Sequence, residues 1–209
     1  MSEVQFRRAR SEDAETILAI KRAAIEELEH WQYSPEQIRA WAPKDDYAPT
    51  FAEAIDHERF VVHVAERDGT VIGYGALTVP DERIDALFVH PDHHGQGVAT
   101  TLIKQLELSA QFQGIEELDV VAARNAVDFY RSVGYWRLDD EVTTIEDVDL
   151  ELVRMRKRVG DDGLATATVD AEGPTDTTDA SEATTASEAT TVSDPSDAGD
   201  AADRPDADE

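Results

Sequence analysis

The sequence predicts an α/β (α+β) domain, a mixed central sheet of about seven strands flanked by about four helices, with an acidic tail behind it. Three observations predict this. Two apolar runs meet at Arg67-Asp68-Gly69, a tight-hairpin signal. The stretch Asp85 to Ala110 passes from a short apolar strand through a glycine-rich turn into a helix. A later block, Leu118 to Leu138, repeats strand, helix and strand. The resulting order is β-α-α-β-β-β-α-β-α-β-β, antiparallel at first, with a parallel β-α-β crossover around the central stretch.

Each element has its own signal. Val4 to Arg8 alternates apolar and polar residues, as a half-buried strand does. Ser11 suits an N-cap for a helix that sets Ala14, Ile17, Leu18, Ile25 and Leu28 on one side. Ser34-Pro35-Glu36 opens a second helix with a cap, a proline at the first turn and an early acid; it runs to about Trp41. Pro43 to Asp46 breaks the chain, and Thr50 to Asp56 is a weak third helix left out of the predicted order. Strands follow at Phe60–Glu66 and Thr70–Val79, then the apolar strand Ala86–Val89. Val98, Leu102, Leu106 and Ala110 recur at helical spacing. Leu118–Ala122 is a strand, Ala126–Ser132 a helix stopped by Gly134, and two further strands close the domain by Lys157.

Charge and composition exclude several functions. The chain has 46 acidic and 19 basic residues, a net charge of −27. Nucleic acid and anionic membrane are therefore poor partners. There is no cysteine, which removes disulfides, thiolate metal sites and a cysteine nucleophile together. No run is long and apolar enough for a membrane span, and the first residues lack a signal core, so the expected location is cytoplasmic. Residues 159–209 hold 15 acids against Arg204 alone, with ASEATT repeated at 180–185 and 186–191. Such a composition cannot offset its ordering entropy, so the division expected is a domain at 1–158 and a disordered acidic tail at 159–209. The low lysine content and acidic surface resemble proteins of salt-loving organisms, which sets halophilic origin as an expectation.

The central turn carries the chemistry. Gly95 and Gly97 allow positive φ and leave the backbone open to close approach. The amides that follow open a helix unpaired, with the positive end of its dipole behind them, and this combination binds an anion without a basic side chain. A P-loop would need a lysine before Thr100 or Thr101, and a dinucleotide fingerprint would need glycine where Thr100 stands. A plain strand-to-helix turn remains the other reading. His90, His93 and His94 crowd the same turn, but Pro91 breaks any regular ligand face and no further ligand set is identifiable, so no metal is expected.

His94-Gly95-Gln96-Gly97-Val98-Ala99 resembles the acetyl-CoA-binding motif of the GNAT superfamily of N-acetyltransferases, Gln/Arg-x-x-Gly-x-Gly/Ala, with His94 at the Gln/Arg position. The element order is similar as well. Asn125, Ala126, Phe129, Tyr130, Gly134 and Tyr135 match a later motif of the same superfamily. The resemblance implies a direct transfer of acetyl from acetyl-CoA to a primary amine in a ternary complex. It places the pantetheine arm on the backbone of Leu87, Phe88 and Val89. The pyrophosphate would lie on the turn from His94 through Gly95, Gln96, Gly97, Val98, Ala99 and Thr100. Asn125 would lie beside the cofactor, although it also suits a helix cap with Asp128.

By the same resemblance Tyr130 is the catalytic acid for the departing sulfur. Asp85, Glu82 and His63 are the candidates for a base. Trp31, Tyr33 and Trp41 either line the acceptor site or pack helices on the sheet, and relatives often form homodimers through the last strands. A non-catalytic acyl-CoA-binding module is the alternative reading. The acceptor amine is not identifiable from sequence.

Overall fold

The computed structural model describes residues 3–28 and 32–160. The tail from residue 161 onward and Trp31 lie outside the described residues. The strands are β1 (Gln5–Arg8), β2 (Phe60–Arg67), β3 (Thr70–Thr78), β4 (Arg83–Val89), β5 (Glu117–Ala123), β6 (Trp136–Ile145) and β7 (Val148–Arg158). The helices are α1 (Ala14–Glu26), α2 (Pro35–Trp41), α3 (Ala48–Asp56), α4 (Val98–Phe112) and α5 (Val127–Ser132). Among these residues no helix is long and apolar enough to cross a membrane.

One sheet in the order β1-β2-β3-β4-β5-β7-β6 forms the centre of the domain. Every pairing is antiparallel except β4 with β5, which α4 bridges. The β2–β3 hairpin closes on Asp68 and Gly69, both with positive φ, as the sequence predicts for a two-residue turn. Tyr74 stacks on Phe88 and meets Phe51 of α3, while the places beside Gly73 and Gly75 are filled by Leu102 and Leu106 of α4. Alternation along β3 therefore puts α1 and α3 on one face and α4 on the other.

Two local readings need correction. The predicted order omits α3, which the structure contains. Its stretch is short and carries Pro49, so its local signal is weak; burial of Phe51 and Ile55 against α1 and β2 stabilises it. Ser11 does not cap α1. It begins a 3-10 turn, Ser11–Asp13; Asp13 stands at the N-cap of α1 without a side-chain bond to that helix, and its carboxylate instead closes the turn onto the Arg10 amide. The Asp13 carboxylate accepts from the Arg10 amide (2.8 Å) and from two nitrogens of Arg7 (2.7 and 2.9 Å). Ser34 does cap α2, in a reciprocal arrangement with Gln37.

The Arg7 guanidinium holds the Asp13 carboxyl below the usual carboxylate range, against the opposing effect of burial. A depressed folded-state value gives stability that is present above the unfolded carboxylate range and lost as pH falls through the folded one. We expect Asp13→Asn to destabilise the domain at neutral pH by about 2 kcal/mol. Its urea midpoint should also fall less steeply than that of the wild type on acidification. Parallel acid limbs for the two proteins would remove Asp13 from this role.

Candidate active site

The site begins at a defect in β4. Ala76 faces Ala86 and Leu77 faces Ile84, so Asp85 is an extra residue on β4, a β-bulge. Its buried carboxylate accepts from the Thr78 hydroxyl and from Arg83 Nε (2.6 Å). Before the bulge β4 pairs with β5 at Arg83 with Asp119 and Ile84 with Val120; beyond it no further pair is made. The two strands part there and leave a wedge-shaped gap toward their C-terminal ends.

Backbone alternation decides which groups face that gap. The His90 amide donates to Ile72 O (2.8 Å), so His90, Phe88 and Ala86 turn their backbone groups to β3. Leu87 and Val89 turn theirs into the gap. Phe88 differs from the sequence expectation: its amide and carbonyl face Tyr74, and it contributes its ring to the floor beneath. The Val89 carbonyl lies 3.1 Å from His94 Nε2.

The glycine turn closes the mouth of the gap. Gly95 and Gly97 have φ of 68° and 76°, and a Cβ at either would meet nothing within 4 Å. Conformation, not crowding, therefore calls for glycine at both. The first hydrogen bond of α4 runs from the Thr101 amide to Gly97 O (3.1 Å). Among the described residues, no hydrogen bond is made by the amides of Gly95, Gln96, Gly97, Val98, Ala99 or Thr100. Val98, Ala99, Leu102, Ile103, Leu106 and Ala110 form the buried stripe of α4 and fix this cluster of donors against the sheet.

On the other flank, β5 ends in a 3-10 turn, Arg124–Ala126, that leads into α5. Asn125 lies inside that turn, and Ala126 occupies the position before α5, so the capping reading of Asn125 does not hold. Tyr130 is fully buried, edge-on to Phe129 (5.3 Å between ring centres) and Tyr135 (5.4 Å). Gly134 takes the left-handed conformation expected of the helix stop, with φ 96°.

The acids and bases suggested by sequence sit elsewhere or are engaged. Glu82 precedes β4, at the paired end of the strands. Asp85 is bound to Arg83 and Thr78. His63 on β2 is 2.9 Å from Ser109 Oγ of α4, and since that hydroxyl donates to Gln105 O, the ring nitrogen donates to it. Burial holds His63 below the usual imidazole range. His93 is lowered by burial and then by Arg67, whose Nη1 lies 3.3 Å from its Nδ1. Among the described residues no group of three or more metal-ligating side chains converges.

Tyr33 and Trp41 pack the helices. Both are buried and edge-on to each other (5.5 Å). The Tyr33 hydroxyl accepts from the Arg124 amide (3.0 Å) and donates to Glu151 O (3.2 Å). It thereby ties the end of β5 and the middle of β7 to the start of α2. Burial pushes this hydroxyl's titration up, so it stays neutral. No sequence signal marks this bridge, because its partners are backbone groups far away in the chain.

The strand gap and the glycine turn with its open amides are the two features that the fold brings together here. The family model described as an acetyltransferase (GNAT) domain matches residues 29–159. The chain belongs to the GNAT acetyltransferase family. It is an acyltransferase by that membership. An N-acetyltransferase of Escherichia coli, YafP, is 30% identical over 135 residues, 65% of this chain and 83% of the relative. A GCN5-related N-acetyltransferase from Rhodopseudomonas palustris superposes with a TM-score of 0.69 at 35% identity, over 76% of this chain and 97% of that one. PaiA N-acetyltransferase of Thermoplasma acidophilum, solved with coenzyme A, shares the fold: TM-score 0.58, 21% identity, 75% of this chain and 99% of that one.

For this GNAT domain, Tyr33→Phe should cost about 1–3 kcal/mol, because it leaves the Arg124 amide and Glu151 carbonyl without their buried partner. Urea denaturation measures the loss. A midpoint equal to wild type would show that water replaces the hydroxyl.

Proposed function

We propose that the protein transfers acetyl from acetyl-CoA to a primary amine in the cytoplasm, by direct attack within a ternary complex. The observation that carries this reading is the β4–β5 gap, with Leu87 and Val89 presenting backbone groups into it and the glycine turn at its mouth. An extended arm bearing amides suits two backbone positions spaced one residue apart. The pyrophosphate suits the amides of Gly95 through Thr100. Asn125 flanks the same gap from the end of β5. The ligand supplies an activated thioester; the chain supplies placement.

In this reading Tyr130 hydrogen-bonds the sulfur and gives it a proton as the thiolate leaves. The amine nitrogen forms its bond to the acetyl carbon as the carbon–sulfur bond breaks, and the amine sheds its extra proton. No enzyme nucleophile is needed, which suits a chain without cysteine. The acceptor side lies between the α1–α2 connection and the β6–β7 hairpin. Gln37 Nε2 donates to Asp149 O (2.7 Å), and Lys44 pairs with Glu146 on that hairpin. Glu36, Asp147 and Asp149 add acids there, which favours a cationic acceptor such as a polyamine, an aminoglycoside or a lysine side chain. A homodimer through β6 fits this reading, since β6 is an outer strand with Trp136, Leu138 and Val142 exposed.

Two measurements test it. Tyr130→Phe should lower kcat for thiol release with a responsive amine by about 10²-fold or more, with acetyl-CoA affinity by calorimetry nearly unchanged. Equal loss of both would make Tyr130 a packing residue. Acetyl-CoA affinity should also hold or improve from low salt to molar KCl. At ~1 M salt the Debye length falls to ~3 Å, which screens the repulsion between an acidic protein and an anionic ligand but spares the short amide contacts. A steep loss of affinity over that range would count against adaptation to high salt.

A further inference from the structure

We propose, resting on the acetyl-transfer reading of the site, that Lys157 and Glu107 are positioning residues for Tyr130. Their buried ion pair keys the helix that carries this tyrosine to the helix that opens the cofactor turn. Lys157 Nζ of β7 lies 2.9 Å from Glu107 Oε2 of α4, and both residues are buried.

Stability does not account for such a pair. Its attraction must first offset the lost hydration of two charges, and apolar side chains of similar volume often fill the same space at equal or greater stability. What an apolar pair lacks is direction. A leucine and a methionine can slide past each other, whereas an ammonium and a carboxylate in contact keep one distance and one orientation.

The surroundings of Lys157 show what that direction controls. Its stem packs against the turn from α5 to β6, where a Cβ at Gly134 would lie 3.4 Å from Lys157 Cε. Its ammonium lies over the buried Tyr135 ring, 5.9 Å from the ring centre, within reach of a cation–π contact. Tyr135 in turn holds Tyr130 twice. Its amide donates to Tyr130 O (2.9 Å), and the two rings meet edge-on at 5.4 Å. Lys157 thus sets Tyr135, and Tyr135 sets the ring of Tyr130.

Glu107 fixes the other end of this chain of contacts. It stands on α4, the helix whose first amides, Val98 to Thr100, receive the pyrophosphate in the acetyl-CoA reading. One ligand would then touch both helices, α4 through its phosphates and α5 through its sulfur at Tyr130. The spacing of the two helices has to match the ligand, and a misplacement of ~1 Å at the reacting atoms costs on the order of 10²-fold in rate.

The test is a mutant cycle on the full chain in molar KCl, with a responsive amine as acceptor. It compares wild type, E107L/K157M, Y130F, and the variant that combines all three substitutions. E107L/K157M should keep or raise the urea midpoint and hold acetyl-CoA affinity by calorimetry, yet lower kcat for thiol release about tenfold. In the Y130F background the same two substitutions should lower kcat by less than about twofold, because the hydroxyl they position is gone.

An unchanged kcat in E107L/K157M overturns the proposal. So does an equal fall in both backgrounds, since the pair would then act elsewhere than through Tyr130. A lower kcat accompanied by a lower urea midpoint and weaker acetyl-CoA binding overturns it too, in favour of plain packing. If E107L/K157M does not fold by circular dichroism, Y135L takes its place, because it removes the ring between Lys157 and Tyr130. An unchanged kcat in Y135L, or an equal fall with and without Y130F, is then the overturning result. No thiol release by wild type with any amine would instead overturn the acetyl-transfer reading, and this proposal with it.

Discussion

The architecture of the site depends on the bulge at Asp85. One inserted residue bends β4, and the bend falls where its pairing with β5 ends. A parallel pair that continued to Val89 would use up the backbone groups of Leu87 and Val89 and close the gap. Asp85 is held in place by Arg83 and Thr78, which face each other across β4 and β3. Its carboxylate thus serves geometry. The Thr78 hydroxyl and the Arg83 guanidinium each occupy one of its two oxygens.

Around this defect the two halves of the proposed site differ in origin. The proposed cofactor half is local: β4, its turn and the start of α4 are consecutive in the chain. The proposed acceptor half is assembled from distant pieces. Tyr33, Arg124 and Glu151 meet through one hydroxyl, and Lys44 reaches Glu146 on the tip of the β6–β7 hairpin. That tip holds Glu146 and Asp147 at φ of 49° and 64°, left-handed conformations that glycine or asparagine adopts more readily. Arg22 adds another strut, donating to Pro43 O (2.8 Å). A wall built from such long-range contacts can change without disturbing the cofactor half.

This division explains what the sequence made legible. The Asp68-Gly69 hairpin, the Ser34 cap and the Gly97 turn were readable because each is set by a few consecutive residues with strong backbone preferences. The order of strands followed from those pieces and the apolar runs between them. The bulge was not readable, because a bulge is a relation between two strands and Asp85 alone carries no mark of it. Helix α3 was underrated because tertiary burial, not propensity, holds it. Ser11 was a sound cap candidate that lost to Asp13, whose grip by Arg7 depends on β1 lying beside the turn. His94 was read as a departure from a motif; its contact with the Val89 carbonyl appears only once the turn folds back over the end of β4.

Charge gives the last constraint. A chain at −27 must hold an anionic ligand, and basic side chains are scarce and mostly committed. Arg7, Arg83, Arg124, Arg154 and Arg156 each pair with carboxylates, and Lys157 pairs with Glu107 in the interior. A lysine or arginine at the turn would stand among many competing acids. Backbone amides do not have this weakness, because their partial charges are fixed by the helix and cannot rotate to a neighbouring acid. They also keep their strength at high salt, acting at contact distance where screening is ineffective.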